Sequence, residues 1–361
     1  MSLFRTLNLL TLLLCFCVIV FGAYVRLSDA GLGCPDWPGC YGHLTVPSDE
    51  QHVAAANAAF PERPVEAHKG WKEMIHRYLA STLGLLIVAL ALLSLRLRQQ
   101  GVPRRLPWLL VAMVIFQGIL GMWTVTWQLK PLVVTGHLLG GMTTFAMLLW
   151  LYWSTRRVAS RPPAPTVSER AYRSERHASF AFDKDLQTDP QHAAVAVPAR
   201  LRGYATLALL LLVVQIFLGG WTSTNYAALA CPDLPTCHGS FWPQTDIPTA
   251  YTLWHGLGIN YEYGILDARA RVTIHHFHRV GALVVTVALL LLGLFLLRRG
   301  NDPVWRRFGV AVIAALCLQV AIGISVVFFQ LPLLLAAAHN AGAAILLAVL
   351  VSLNHAAWSR R

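Results

Sequence analysis

Glu73-Met-Ile-His76-Arg77-Tyr-Leu-Ala-Ser-Thr-Leu-Gly-Leu-Leu-Ile-Val-Ala-Leu-Ala-Leu-Leu-Ser-Leu95 carries no charge after Arg77. A helix needs about 20 predominantly apolar residues to cross a bilayer, and this run supplies them. Seven further runs of the same kind lie at 5–25, 107–127, 132–153, 203–222, 273–297, 308–329 and 333–355. They are too long and continuous for the alternating strands of a membrane barrel. The whole chain agrees with this reading: of 361 residues, 56% are hydrophobic and 13% charged. Soluble domains carry roughly 25% charged residues, which excludes a soluble enzyme, a disordered tail and a disulfide miniprotein. The expected fold is all-α and integral to the membrane, with eight transmembrane helices. A short basic start, Met1 to Arg5, precedes the first run, but no A-x-A cleavage site follows it. That run is therefore expected to stay as a helix.

The net charge of +12 and pI near 9.7 suggest an anionic partner, yet the distribution of charge says otherwise. Connections on the side of the N-terminus hold 20 of the 29 basic residues and a net +14, whereas the opposite side has a net −2. Basic residues concentrate on cytoplasmic loops, so both termini are expected in the cytoplasm and no nucleic-acid partner is implied. Two opposite-side loops are long, about 26–71 and 223–272, while Gln128-Leu-Lys-Pro131 and Gln330-Leu-Pro332 are tight turns. The polar segment 156–202 lacks apolar periodicity and reads as a linker, flexible or disordered.

The chain contains an internal repeat. Gly22…Cys34-Pro-Asp-Trp-Pro-Gly-Cys40 matches Gly219…Cys231-Pro-Asp-Leu-Pro-Thr-Cys237 at an offset of 197. Further on the offset is 202, matching His76-Arg77 to His278-Arg279, Gln117 to Gln319, Gly121 to Gly323 and His137 to His339. Each copy has four spans, so both have one orientation. The expectation is two pseudo-symmetric four-helix bundles, 1–155 and 203–361, related by an axis along the membrane normal.

One histidine opens the second helix of each half and another opens the fourth, separated by 61 residues in both copies. Four to six residues inward corresponds to about 6–9 Å of helix. Ionisable groups in a span usually face the bundle interior, and two imidazoles from facing helices are what six-coordinate heme iron requires. A single intramembrane histidine is more often a packing residue, but two matched pairs favour heme. Zinc would need three or four ligands in a tighter set. His275 and His276 read as neighbouring or interfacial groups; His43, His52, His68, His177, His192, His238, His255 and His355 read as surface or loop histidines.

The copies differ at one telling place. Glu73 lies three residues before His76 on the same face, and its counterpart is His275. A carboxylate at only one of two heme sites suggests that one bundle holds a permanent cofactor and the other performs chemistry. A first-turn glutamate favoured by the helix dipole explains it equally well. Arg77 and Arg279 could pair with heme propionates or snorkel to the interface. Cys34 with Cys40 and Cys231 with Cys237 lie where the two prolines favour tight loops; disulfides fit an oxidising compartment, and zinc is the alternative. Cys15, Cys17 and Cys317 lie within spans and read as packing residues.

In combination these residues resemble the heme A synthase family, over nearly all of the chain except 156–202. The resemblance implies oxidation of one methyl group of heme O to a formyl group by successive hydroxylations and loss of water. It implies His76 and His137 as ligands of the substrate heme, His278 and His339 as ligands of a heme b cofactor, and Glu73 as the acidic residue at the reacting methyl. It also implies a Cys34–Cys40 first-loop pair; the role of Cys231–Cys237 is left open. The expected setting is a bacterial inner membrane, with heme O synthase as a candidate partner and homo-oligomerisation open. The electron partner is not specified. Two alternatives stand beside this: a bis-histidine b-type cytochrome oxidising quinol, and a transporter. Transporter helices, however, are typically broken near the midplane.

Overall fold

A computed structural model describes residues 2–97, 100–159, 199–299 and 302–359. Residues 160–198, the bulk of the linker expected at 156–202, lie outside the described residues. Among the described residues the regular elements are ten helices, with two isolated β-bridges in the loops. Eight helices are long and apolar enough to cross a membrane: α1 (Ser2–Leu27), α3 (Ala67–Arg96), α4 (Arg105–Thr126), α5 (Pro131–Ala159), α6 (Ala199–Thr224), α8 (Ala268–Arg298), α9 (Pro303–Phe328) and α10 (Leu333–Ser359). The chain is a multi-pass membrane protein. Short helices α2 (Glu50–Ala59) and α7 (Ile247–Ala250) lie within the two long loops.

All eight expected spans are present, but several begin earlier than hydropathy indicates, and two of these early starts bear on the histidines. α3 starts at Ala67 rather than residue 73, and α8 at Ala268 rather than residue 273. Lys69, Lys72, Arg269 and Arg271 make these first turns read as loop. Asp267 caps α8 by accepting from the Ala270 amide at 2.8 Å, satisfying one of the donors a helix start leaves open. The depth expected for the first histidine of each pair is therefore corrected. His76 and His278 lie nine and ten residues into their helices, about 14–15 Å along the axis. The extra turns project into the loop layer: a Cβ on Gly33 would lie 2.6 Å from the Lys69 carbonyl carbon.

Helix neighbours recur in the two halves. α1 packs on α3 and α5, and α4 joins α3 to α5; likewise α6 packs on α8 and α10, and α9 joins α8 to α10. Between the halves α1 meets α10, α5 meets α6, and α5 meets α10. Exchanging α1 with α6 and α5 with α10 maps this interface onto itself, as a two-fold along the normal would.

The core has two levels. Beyond each histidine, towards the terminal face, one apolar cluster spans both halves and includes Ile87, Leu90, Leu148, Leu151, Leu289, Leu296, Leu347 and Leu350, with a few buried polar side chains among them. Lipid tails supply no hydrophobic drive between helices, so close packing and polar contacts hold them together. Asn354 Nδ2 donates to the Ala205 carbonyl at 2.8 Å, Asn340 Nδ2 to the Ile19 carbonyl at 3.3 Å, and Thr135 meets Thr224 at 3.2 Å. His355, read as a surface histidine, is buried beside Ser154 Oγ at 3.2 Å and edge-on to Trp150. It follows the last apolar turns of α10, where sequence alone cannot tell a helix end at the interface from one packed against a neighbour.

Candidate functional site

Each expected ligand faces a glycine on an adjacent helix. His76 lies against Gly22 of α1, His137 against Gly121 of α4, His278 against Gly219 of α6, and His339 against Gly323 of α9. A Cβ on these glycines would sit 2.8, 3.5, 3.1 and 2.8 Å from the facing Cε1, in that order. At Gly22, Gly219 and Gly323 only a residue without a side chain lets an imidazole lie so close to a helix backbone, whereas 3.5 Å at Gly121 is an ordinary contact. His76 and His137 lie on α3 and α5 of the first half, and His278 and His339 on α8 and α10 of the second. The four are thus brought together in two pairs, one per half.

These residues fit heme. The Nδ1 atoms of His76, His137 and His339 are buried without a hydrogen-bond partner, a cost of about 1–3 kcal/mol each that ligation or a bound partner would relieve. Among the described residues no group of three or more His, Cys, Asp or Glu is placed to hold a metal ion, so the zinc arrangement is not what these side chains form.

Glu73 is buried, with 4% of its surface exposed. Its Oε2 accepts from the Cys34 amide at 2.9 Å, and its Oε1 lies 2.6 Å from Arg77 Nη2. Arg77 Nη1 donates in turn to the carbonyls of Pro38, at 3.2 Å, and Gly39. The second half repeats this arrangement with a histidine. His275 Nδ1 lies 3.1 Å from the Cys231 amide nitrogen and its Nε2 3.3 Å from Arg279 Nε; a neutral imidazole accepts at one of the two and carries its N–H on the other. Arg279 also donates to the carbonyls of Asp233 at 2.7 Å, Thr236 at 2.9 Å and Cys231 at 2.5 Å. Arg77 and Arg279, which the sequence left between propionate contacts and snorkelling, hold the cysteine loops onto α3 and α8. His276 is buried edge-on against Trp242, 4.8 Å between centroids.

Both cysteine pairs are bonded, Cys34–Cys40 and Cys231–Cys237, with Cα atoms 4.8 and 4.7 Å apart. The motif aspartate folds each loop. Asp36 accepts from the Tyr41 and Gly42 amides at 2.6 and 2.7 Å, and Asp233 from those of His238 and Gly239 at 2.6 and 3.0 Å. Both turns run through the left-handed region, Tyr41 and His238 at φ +53 and +52° with glycine following; glycine tolerates that at no steric cost. Hydrogen bonds from the Thr236 hydroxyl and the Gly239 and His238 amides hold the Asp233 carboxyl below the usual carboxylate range.

The loop layer also ties the halves together, which the sequence reading missed. Lys130 is 1% exposed; its Nζ donates to the Gly256 carbonyl at 2.7 Å and lies 2.9 Å from the Trp254 ring centroid. Arg63 pairs with Glu262 at 3.3 Å, and the Tyr261 amide donates to the Gln128 carbonyl at 3.1 Å. Also missed was Gln215, whose Nε2 lies 3.0 Å from His278 Nδ1. It has no glutamine counterpart in the first copy, so a search for matched residues passes over it.

Fold and site together define a polytopic, all-helical membrane protein with two bundles, each carrying a histidine pair beneath a disulfide-closed loop. Residues 5–351 match the model of the COX15-CtaA family, described as cytochrome oxidase assembly protein. A heme A synthase of Shewanella oneidensis is 42% identical over 351 residues, covering 97% of this chain and 96% of its own. Heme A synthases of Caulobacter vibrioides and Bradyrhizobium diazoefficiens are 26% and 28% identical, covering 92% and 95% of this chain and 90% and 88% of their own. The chain belongs to the COX15-CtaA family. The quinol-oxidising cytochrome reading is not favoured by these relatives.

Proposed function

We propose that this protein is a heme A synthase, an oxidoreductase that converts a methyl group of heme O to the formyl group of heme A by successive hydroxylations and loss of water. The observation that carries the assignment of roles is the asymmetry at matched places: Glu73 stands three residues before His76, and His275 stands three before His278. In this reading His76 and His137 hold the substrate heme O, and His278 and His339 hold heme b. Heme b, when bound, supplies a one-electron relay beside the reacting site.

Glu73 is the residue that acts on the substrate. Its carboxylate is shielded from water by the Cys34 loop, and two donors fix its direction. From there it takes a proton from the reacting group, or stabilises positive charge developing at the methyl carbon. Arg77 keeps the carboxylate oriented, and the Cys34–Cys40 bond keeps the Cys34 amide in place. The apolar lipid-facing surfaces of the helices admit a farnesylated substrate sideways from the bilayer.

The charge bias supports cytoplasmic termini and a bacterial inner membrane, with the disulfides on the oxidising side. Heme O synthase is the natural neighbour to deliver substrate, and association of two copies is compatible with this topology. Because His275 makes the same loop contacts as Glu73, a purely structural role for Glu73 is the reading to beat. Glu73→Gln keeps both hydrogen-bond partners within reach and removes the charge. It should leave heme in the purified protein and stop heme A formation; a normal rate of heme A formation would falsify the catalytic role.

A further inference from the structure

Four places in the molecule share one construction. In three of them the helix facing the histidine carries Gln-x-x-x-Gly, and the histidine helix carries His-x-x-Gly. These are Gln117/Gly121 with His137/Gly140, Gln215/Gly219 with His278/Gly281, and Gln319/Gly323 with His339/Gly342. The first glycine seats the imidazole; the second makes room for the glutamine. A Cβ on Gly140, Gly281 or Gly342 would lie 1.7, 2.4 or 2.2 Å from the carboxamide of Gln117, Gln215 or Gln319.

Two of the three glutamines grip the histidine helices, whereas Gln117 Nε2 is buried without a partner. Gln215 Nε2 lies 3.0 Å from His278 Nδ1 and donates to the His278 carbonyl at 3.0 Å. Gln319 Nε2 lies 3.4 Å from His339 Nε2 and donates to the His339 carbonyl at 3.1 Å. The Oε1 atoms of both are buried without a partner. A half-turn of the carboxamide gives up the bond from Nε2 to the histidine's carbonyl, presents that oxygen to an imidazole N–H instead, and leaves the other ring nitrogen for iron. A hydrogen bond on the second nitrogen is what orients a ligating imidazole and raises its basicity.

The fourth place breaks the rule at both positions together. Val18 stands four residues before Gly22, and Leu79 three residues after His76. No carboxamide stands at this station to grip the histidine. Valine and leucine here stand where the other stations carry glutamine and glycine, so the carboxamide donor is lacking.

We infer that the two Gln–Gly pairs of the second half are imidazole anchors that retain heme, and that the Val18–Leu79 station makes His76 the ligand through which the first bundle releases its heme. This rests on the reading that the histidine pairs hold heme. It assigns positioning roles to Gln215, Gln319, Gly281 and Gly342, and a kinetic role to the missing anchor: product must leave the first bundle after every turnover, whereas the cofactor in the second must stay.

The test is heme release from the purified full-length protein, loaded with heme b in detergent and mixed with excess apomyoglobin. The wild type should show a slow and a fast phase. Gln215→Val with Gly281→Leu should accelerate the slow phase by about 10–100-fold, the usual effect of losing a residue behind a metal ligand. Val18→Gln with Leu79→Gly should slow the fast phase. Gln215→Met, which keeps the volume without the carboxamide, serves if the double variant does not fold, and should also accelerate the slow phase. Release rates unchanged in folded variants overturn the anchor inference alone. A wild type that takes up no heme overturns both it and the heme reading beneath it.

Discussion

Replacing each of the four seating glycines by alanine gives a graded series whose order follows from distance. Carbon atoms pack comfortably at about 3.5–4.0 Å. A methyl at Gly323 or Gly22 would start 2.8 Å from the facing Cε1, so the ring must retreat by about 0.7 Å to reach 3.5 Å. At Gly219 the starting distance is 3.1 Å, a retreat of about 0.4 Å; at Gly121 it is 3.5 Å, an ordinary contact. Binding constellations tolerate displacement of about 0.5 Å. Overpacking a tight site costs about 1–3 kcal/mol, which at about 1.4 kcal/mol per tenfold lowers heme affinity by about 5–140-fold. Gly121→Ala should instead be neutral or stabilise α4 by up to about 1 kcal/mol, since alanine is the better helix former. The assay is heme content per purified chain with its low-spin absorption spectrum. Gly323→Ala and Gly22→Ala should lose most heme from their own halves, Gly219→Ala less, and Gly121→Ala none. Equal losses at all four, or a Gly121→Ala defect as deep as that of Gly323→Ala, would show that close seating is not what the glycines provide.

Two further outcomes follow from the loop layer. Removing the Cys34–Cys40 bond with paired serines frees a short loop, costing about 2 kcal/mol on the chain-entropy account. Because the Cys34 amide orients Glu73, heme A formation should fall while heme in the second half is retained; loss of both together would argue for general unfolding. Lys130→Met removes the donor to the Gly256 carbonyl and the cation over Trp254, leaving a buried carbonyl unpaired at about 1–3 kcal/mol. Limited proteolysis within 251–267 should then become faster, and an unchanged cleavage rate would mean that Lys130 does not hold this segment down.

How much of this was legible in the sequence differs from residue to residue. His76, His137, His278 and His339 stood out because two copies kept them at one spacing, and repetition filters out coincidence. Gln215 did not stand out, although it lies 3.0 Å from His278 Nδ1, because its match in the first copy is Val18. The early turns of α3 and α8 were hidden by their charges, since hydropathy reports what lipid tolerates and not where backbone hydrogen bonding begins. Arg77 and Arg279 were visible as charges beside histidines, but that they hold loop carbonyls depends on where a disulfide-closed loop folds back in space.

The sequence by itself determined that the chain crosses a membrane eight times, is duplicated, and places one carboxylate and four histidines at matched points. Hydropathy and spacing are properties of single helices, and one dimension suffices to read them. Only the tertiary structure decided that each histidine is seated on a glycine of another helix and that Glu73 and His275 do the same loop-holding work. It also showed that three of the four histidine stations carry a glutamine fitted against a glycine. Those are contacts between helices, and which faces meet is set by packing at distances of a few ångströms that no one-dimensional pattern contains.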